Sequence, residues 1–68
     1  MGSNYIELKD NTWAISKSNY DALPTNAMGC KLAIGQPDGL QLEVFDESTG
    51  KIVAYAEAIN KVWYERYV

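Results

Sequence analysis

Acid–base and nucleophilic chemistry in this 68-residue sequence would have to come from nine carboxylates, one thiol and five phenols, because it contains no histidine. Glu43 and Glu57 are the best-placed acids, falling roughly diagonal to each other on one expected face of neighbouring strands. A pair that breaks a bond must flank it within a cleft at about 5–9 Å separation. An open sheet face gives no such enclosure, so solvated surface charges are the preferred reading. Asp46 and Glu47 border a turn, where polar side chains are common in any case.

Cys30 alternates in phase with Leu32 and Ile34 and reads as a buried, inert thiol. No neighbouring cation or helix start is evident that would lower its pKa. One cysteine rules out an intrachain disulfide, and the common metal signatures need histidines or several cysteines. Glycines at 2, 29, 35, 39 and 50 lack the spacing that cradles phosphate. The chain is therefore expected not to be an enzyme, with no catalytic residues, metal or cofactor.

Nine acids against six bases leave a net charge of −3, which repels nucleic acid and anionic membranes at long range. The lysines at 9, 17, 31, 51 and 61 are dispersed. Single-stranded nucleic-acid binding on a small barrel stays as an alternative, because Phe45, Tyr55, Trp63 and Tyr64 could stack on bases. A second alternative is acidic mimicry of nucleic acid, inhibiting a nucleic-acid-binding enzyme. It requires most of Glu7, Asp38, Glu43, Asp46, Glu47 and Glu57 to form one negative surface. The amino terminus lacks the charged start and apolar run of a signal peptide. No apolar stretch nears the roughly 20 residues of a membrane span. A cytoplasmic location without membrane contact is expected.

The elements that must carry these side chains are short. A chain this long makes one domain, 1–68, and buries only about 60% of its unfolded surface; residues 1–3 read as disordered or a cloning remnant. Turn signals recur every 8–12 residues or so, which points to a mainly β fold. We expect a small antiparallel sheet or partly closed barrel of five to six strands built from hairpins, with one short helical turn near 18–23 capped by Ser18.

The first hairpin turns at Asp10-Asn11 and sets Leu8 opposite Trp13 and Ile6 opposite Ile15 on one face. The second turns at Gln36-Pro37-Asp38-Gly39 and sets Ile34 against Leu42 and Leu32 against Val44. The third turns at 47–50, pairs Glu47 with Lys51, and lays Leu40, Leu42 and Val44 against Ala58, Ala56 and Ala54. A row of alanines leaves space for another element above it. Residues 62–68 read as a strand after a turn at Asn60-Lys61, with Trp63 and Tyr67 over Ala58 and Ala54 and Glu65 over Ala56. The alternative is an α+β fold with a helix over 56–67 packed on the sheet.

The functional expectation rests on a surplus of apolar side chains. Ile6, Leu8, Trp13, Ile15, Leu32, Ile34, Leu40, Leu42 and Val44 already furnish a core for this length. Phe45, Val53 and Tyr55 are left on the reverse side with some of Trp63, Tyr64, Tyr67 and Val68. One outcome is a second small core beneath a curled sheet. The other is an exposed aromatic patch of the kind enriched in binding hot spots. On the second reading the chain is a non-catalytic protein-binding module, an adaptor or small inhibitor, whose partner is a protein or a second copy. Phe45, Tyr55, Trp63, Tyr64 and Arg66 are its expected contact residues.

Overall fold

The computed structural model describes residues 4–67, with the backbone alone for Tyr67. It is mainly β: strands β1 (Ile6–Lys9), β2 (Thr12–Ser16), β3 (Gln41–Phe45), β4 (Ile52–Ile59) and β5 (Val62–Tyr67), with one helix, α1 (Lys17–Asp21), after β2. They form a single sheet in the order β1-β2-β3-β4-β5. The sheet is mixed, because β2 and β3 run parallel while the other neighbours are antiparallel.

The β1–β2 turn falls at Asp10-Asn11 as expected, but only Asn11 takes positive φ, at 64°, so it is not the type I′ turn, which needs positive φ at both central residues. The faces of that hairpin differ from expectation. Lys9 pairs with Thr12, but a bulge at Leu8 shifts the register, so Glu7 opposes Trp13 and Ile6 opposes Ala14. One extra residue moves every side chain beyond it to the other face. Ile6 and Leu8 are therefore exposed instead of joining Ile15 in the core.

Ser16, not Ser18, caps the helix: its hydroxyl accepts from the Asn19 N–H at 3.3 Å. The helix begins at Lys17 and is over by Asp21, ahead of Pro24.

The largest departure concerns the second hairpin. Its turn forms, with Leu40 N–H donating to Pro37 at 3.2 Å, yet residues 30–35 do not pair with β3. Ala33 is followed by a turn in which Gln36 N–H donates back to Ala33 and Gly35 adopts φ 79°. That turn ends any strand two residues too early for the expected ladder. Residues 31–33 instead line the outer edge of β5, through Ala33 N–H to Lys61 at 2.8 Å and Trp63 N–H to Lys31 at 2.9 Å. Ala33 becomes the buried residue and Ile34 is 67% exposed. The place beside β3 goes to β2, whose Trp13 and Ile15 align with Leu42 and Val44.

The carboxyl-terminal meander follows the strand reading, and no helix occupies 56–67. Asn60 and Lys61 both take positive φ, as a two-residue type I′ turn requires. Ala54, Ala56 and Ala58 oppose Tyr67, Glu65 and Trp63, and Ala54 and Ala56 oppose Val44 and Leu42.

At the β3–β4 turn, Asp46 pairs with Lys51 through the backbone at 2.8 Å, so Phe45 meets Ile52 and Val53 is a bulge residue. Val53 consequently packs against the core instead of lying beside Tyr55 on the reverse side.

The inner face carries the core: Ile15, Leu42, Val44, the three alanines and Trp63, covered by Tyr20 from α1 and by Ala33 and Leu40 from the crossover. Tyr20 occupies the space that the alanines leave, and its hydroxyl donates to the Glu65 carboxylate. That bond explains how an acid is tolerated over Ala56. The sheet coils enough for Tyr5, which leads into one edge strand, to place its ring 6.2 Å from that of Trp63 in the other. The edge strands β1 and β5 do not pair, so the coil stays open. Among the described residues no helix is long and apolar enough to cross a membrane.

The outer face of the sheet as a candidate interaction surface

Cross-strand partners share a face, so the register defines the reverse side of the sheet row by row. One row runs across all five strands: Ile6, Ala14, Glu43, Tyr55, Arg66. The next is Thr12, Gln41, Glu57 and Tyr64, and beyond the two lie Phe45 with Ile52 and Ile59 with Val62. Helix α1 and the crossover cover the inner side, whereas on this one Ala14 alone of the two rows is buried.

Tyr55 is 41% exposed, Tyr64 54% and Ile6 52%. Arg66 is exposed, while Phe45, Glu43 and Glu57 are half-buried. Among the described residues Glu43, Glu57 and Arg66 take part in no ion pair and no side-chain hydrogen bond. The surface therefore combines exposed rings, aliphatic side chains, two unpaired carboxylates and one unpaired guanidinium.

Four of the five expected contact residues, Phe45, Tyr55, Tyr64 and Arg66, lie together here. Trp63 does not. It is 2% exposed and sits on the inner face opposite Ala58. Successive strand residues point to opposite sides, so Trp63 cannot accompany its neighbour Tyr64, and it belongs to the core. Ile6 and Ile59 are part of the outer face and had not been expected there. For Ile6 the signal was hidden by the bulge at Leu8, which alternation alone does not reveal.

Other concavities are less equipped. An apolar cleft of about 370 Å³ opens between Tyr5, Leu23, Pro24, Leu32 and Ile34, so the short chain does form a recess. Among the described residues the only ionisable group in its lining is the Tyr5 phenol, whose pKa burial pushes up. Cys30 is half-buried, not sealed in the core, and lies beside Gly29, Trp63, Tyr64 and Glu65. Among the described residues no three Cys, Asp or Glu side chains gather as metal ligands would.

The remaining acids serve turns and ends. Asp46 accepts from the Ser48 hydroxyl at 2.6 Å and the Ser48 N–H at 2.8 Å, which holds its carboxyl below the usual range. Glu47 accepts from the Ser18 hydroxyl of α1, not from Lys51, and is likewise lowered. At the opposite end of β3, Asp38 accepts from the Asn60 N–H at 3.0 Å. The six acids considered for mimicry thus occupy the outer face, the first edge strand and both ends of the sheet, and do not make one surface.

No protein-family model, curated protein or solved structure matches this chain.

Proposed function

We propose that this chain is a non-catalytic protein-binding module, an adaptor or small inhibitor, which docks through the outer face of its sheet. The observation that carries this reading is the unequal treatment of the two faces. The inner face is sealed by α1, Leu40 and Ala33, whereas the outer face leaves Tyr55, Tyr64, Ile6 and Ile59 open to solvent. Rigid aromatic side chains bury much area at low conformational cost, and an arginine beside them adds planar, bidentate hydrogen-bonding capacity. The contact residues are Phe45, Tyr55, Tyr64 and Arg66.

Single-stranded nucleic acid is a weaker occupant, because Glu43 and Glu57 stand among the rings and would oppose a phosphate backbone. A cytoplasmic location remains part of the proposal. The test is capture from extracts of the native host with the wild type and with Tyr55→Ser/Tyr64→Ser. Proteins retained by the wild type should be lost by the double variant at an unchanged unfolding midpoint. Equal retention by both would remove the outer face as the docking surface.

A further inference from the structure

We propose that the occupant of the outer face is a second copy of this chain, packed face to face about a two-fold axis along β4 through Tyr55. This rests on the reading of that face as a docking surface and names its partner.

The charge order across three adjacent strands is self-complementary. Glu43 on β3, Tyr55 on β4 and Arg66 on β5 form one row. A two-fold axis along the middle strand exchanges β3 of one copy with β5 of the other. Glu43 then faces Arg66 of the partner subunit, Arg66 faces Glu43 of the partner subunit, and the two Tyr55 rings meet at the centre. Both charged groups lack a partner within the monomer among the described residues. A carboxylate and a guanidinium suit each other in bidentate geometry, and a two-fold contact of this kind satisfies both pairs at once.

The adjoining row agrees in part. The same axis sets Tyr64 on β5 against Gln41 of the partner subunit on β3, a hydroxyl against an amide. It also brings the two Glu57 side chains near each other, a like-charge contact that works against the dimer. With the axis along β4 only β3, β4 and β5 of the two copies overlap, roughly 10 Å at about 4.8 Å per strand. Such a face buries well under the area of a standard interface, which places the contact in the weak, reversible class.

Sedimentation equilibrium from about 10 µM to 1 mM tests the arrangement. The wild type should self-associate within that range. Glu43→Arg and Arg66→Glu should each weaken association about tenfold or more, because each sets like charges face to face. An equimolar mixture of the two variants should recover association, since in the mixed dimer the two introduced charges face each other with opposite signs and the native Arg66 and Glu43 do the same. Glu57→Gln should tighten the dimer. Matching circular dichroism and unfolding midpoints would establish that all variants fold.

A wild type that stays monomeric up to 1 mM overturns the proposal, as does a mixture that associates no better than its components. Should the wild type be monomeric while Tyr55→Ser/Tyr64→Ser still abolishes host-protein capture, the docking face stands and the second copy falls. Should the wild type dimerise undisturbed by Tyr55→Ser, the contact lies elsewhere and this use of the face is refuted.

Discussion

The indole N–H of Trp63 donates to the hydroxyl of Tyr5 at 3.3 Å, a bond between residues 58 positions apart that spans the coil of the sheet. Trp63 is buried and Tyr5 half-buried, so the bond works in a partly dry setting. Tyr5→Phe keeps the ring and removes the acceptor, which should cost about 1 kcal/mol. For a domain of this size that lowers the unfolding midpoint by roughly 4–8 °C, measurable by thermal denaturation. An unchanged midpoint would mean that the ring contact alone holds the coil.

The same phenol fixes the sign of the alkaline response. Burial raises the Tyr5 pKa in the folded chain, so folding favours its neutral form. That contribution is fully present below the ordinary tyrosine pKa and is lost as pH rises through the higher native value. Stability measured in urea should decline across this alkaline window, and the decline should be shallower in Tyr5→Phe.

Acid should act through a different corner of the fold. Hydrogen bonds from Ser48 and Ser18 lower the pKa values of Asp46 and Glu47 in the native state. Their contribution is present above the ordinary carboxylate range and disappears as pH falls through the depressed native values. Ser48→Ala and Ser18→Ala should each lower the unfolding midpoint at neutral and alkaline pH while changing it little in acid, and so reduce its acid dependence. A wild-type acid slope in both variants would exclude these bonds as its source.

Tyr20 and Glu65 present a harsher case, because Tyr20 is buried and its hydroxyl donates to a carboxylate over the alanine row. Tyr20→Phe should cost about 1.5–3 kcal/mol, the range for bonds to charged groups. Chemical denaturation would read that loss directly, and a cost below about 0.5 kcal/mol would show that water replaces the phenol.

Ala56 lies 1% exposed between Leu42 and Glu65 on the adjacent strands. Enlarging it to Ala56→Leu should overpack the inner face and destabilise by about 1–3 kcal/mol. A stabilised variant would reveal empty space beneath Tyr20.

What could be read from the residues followed the distance over which each signal acts. Once residues 62–68 were read as a strand and not as part of a helix over 56–67, the register of the last two strands was legible: a turn at Asn60-Lys61 sets Trp63 and Glu65 over Ala58 and Ala56. The outer-face residues Tyr55, Tyr64 and Arg66 followed from that register. Bulges were not legible, since Leu8 and Val53 look like ordinary strand residues, and each moved side chains across the sheet. Trp63 was assigned to the patch by its chemistry, against the alternation that places it inside. The turn at 36–39 was recognised, but a turn does not specify which strands meet beyond it. Residues 30–35 had the apolar pattern of a strand, and the turn beginning at Ala33 together with the free edge of β5 redirected them.

The parallel seam between β2 and β3 also sets the order in which this molecule can assemble. The three carboxyl-terminal strands close over short turns and can nucleate early, whereas β2 reaches β3 only after the intervening chain is gathered, a slower non-local step. Until then β3 offers a bare edge rich in apolar residues, a template for pairing between chains. Fast synthesis or crowding should therefore favour aggregation from this half-built state, and stabilising the first hairpin should relieve it.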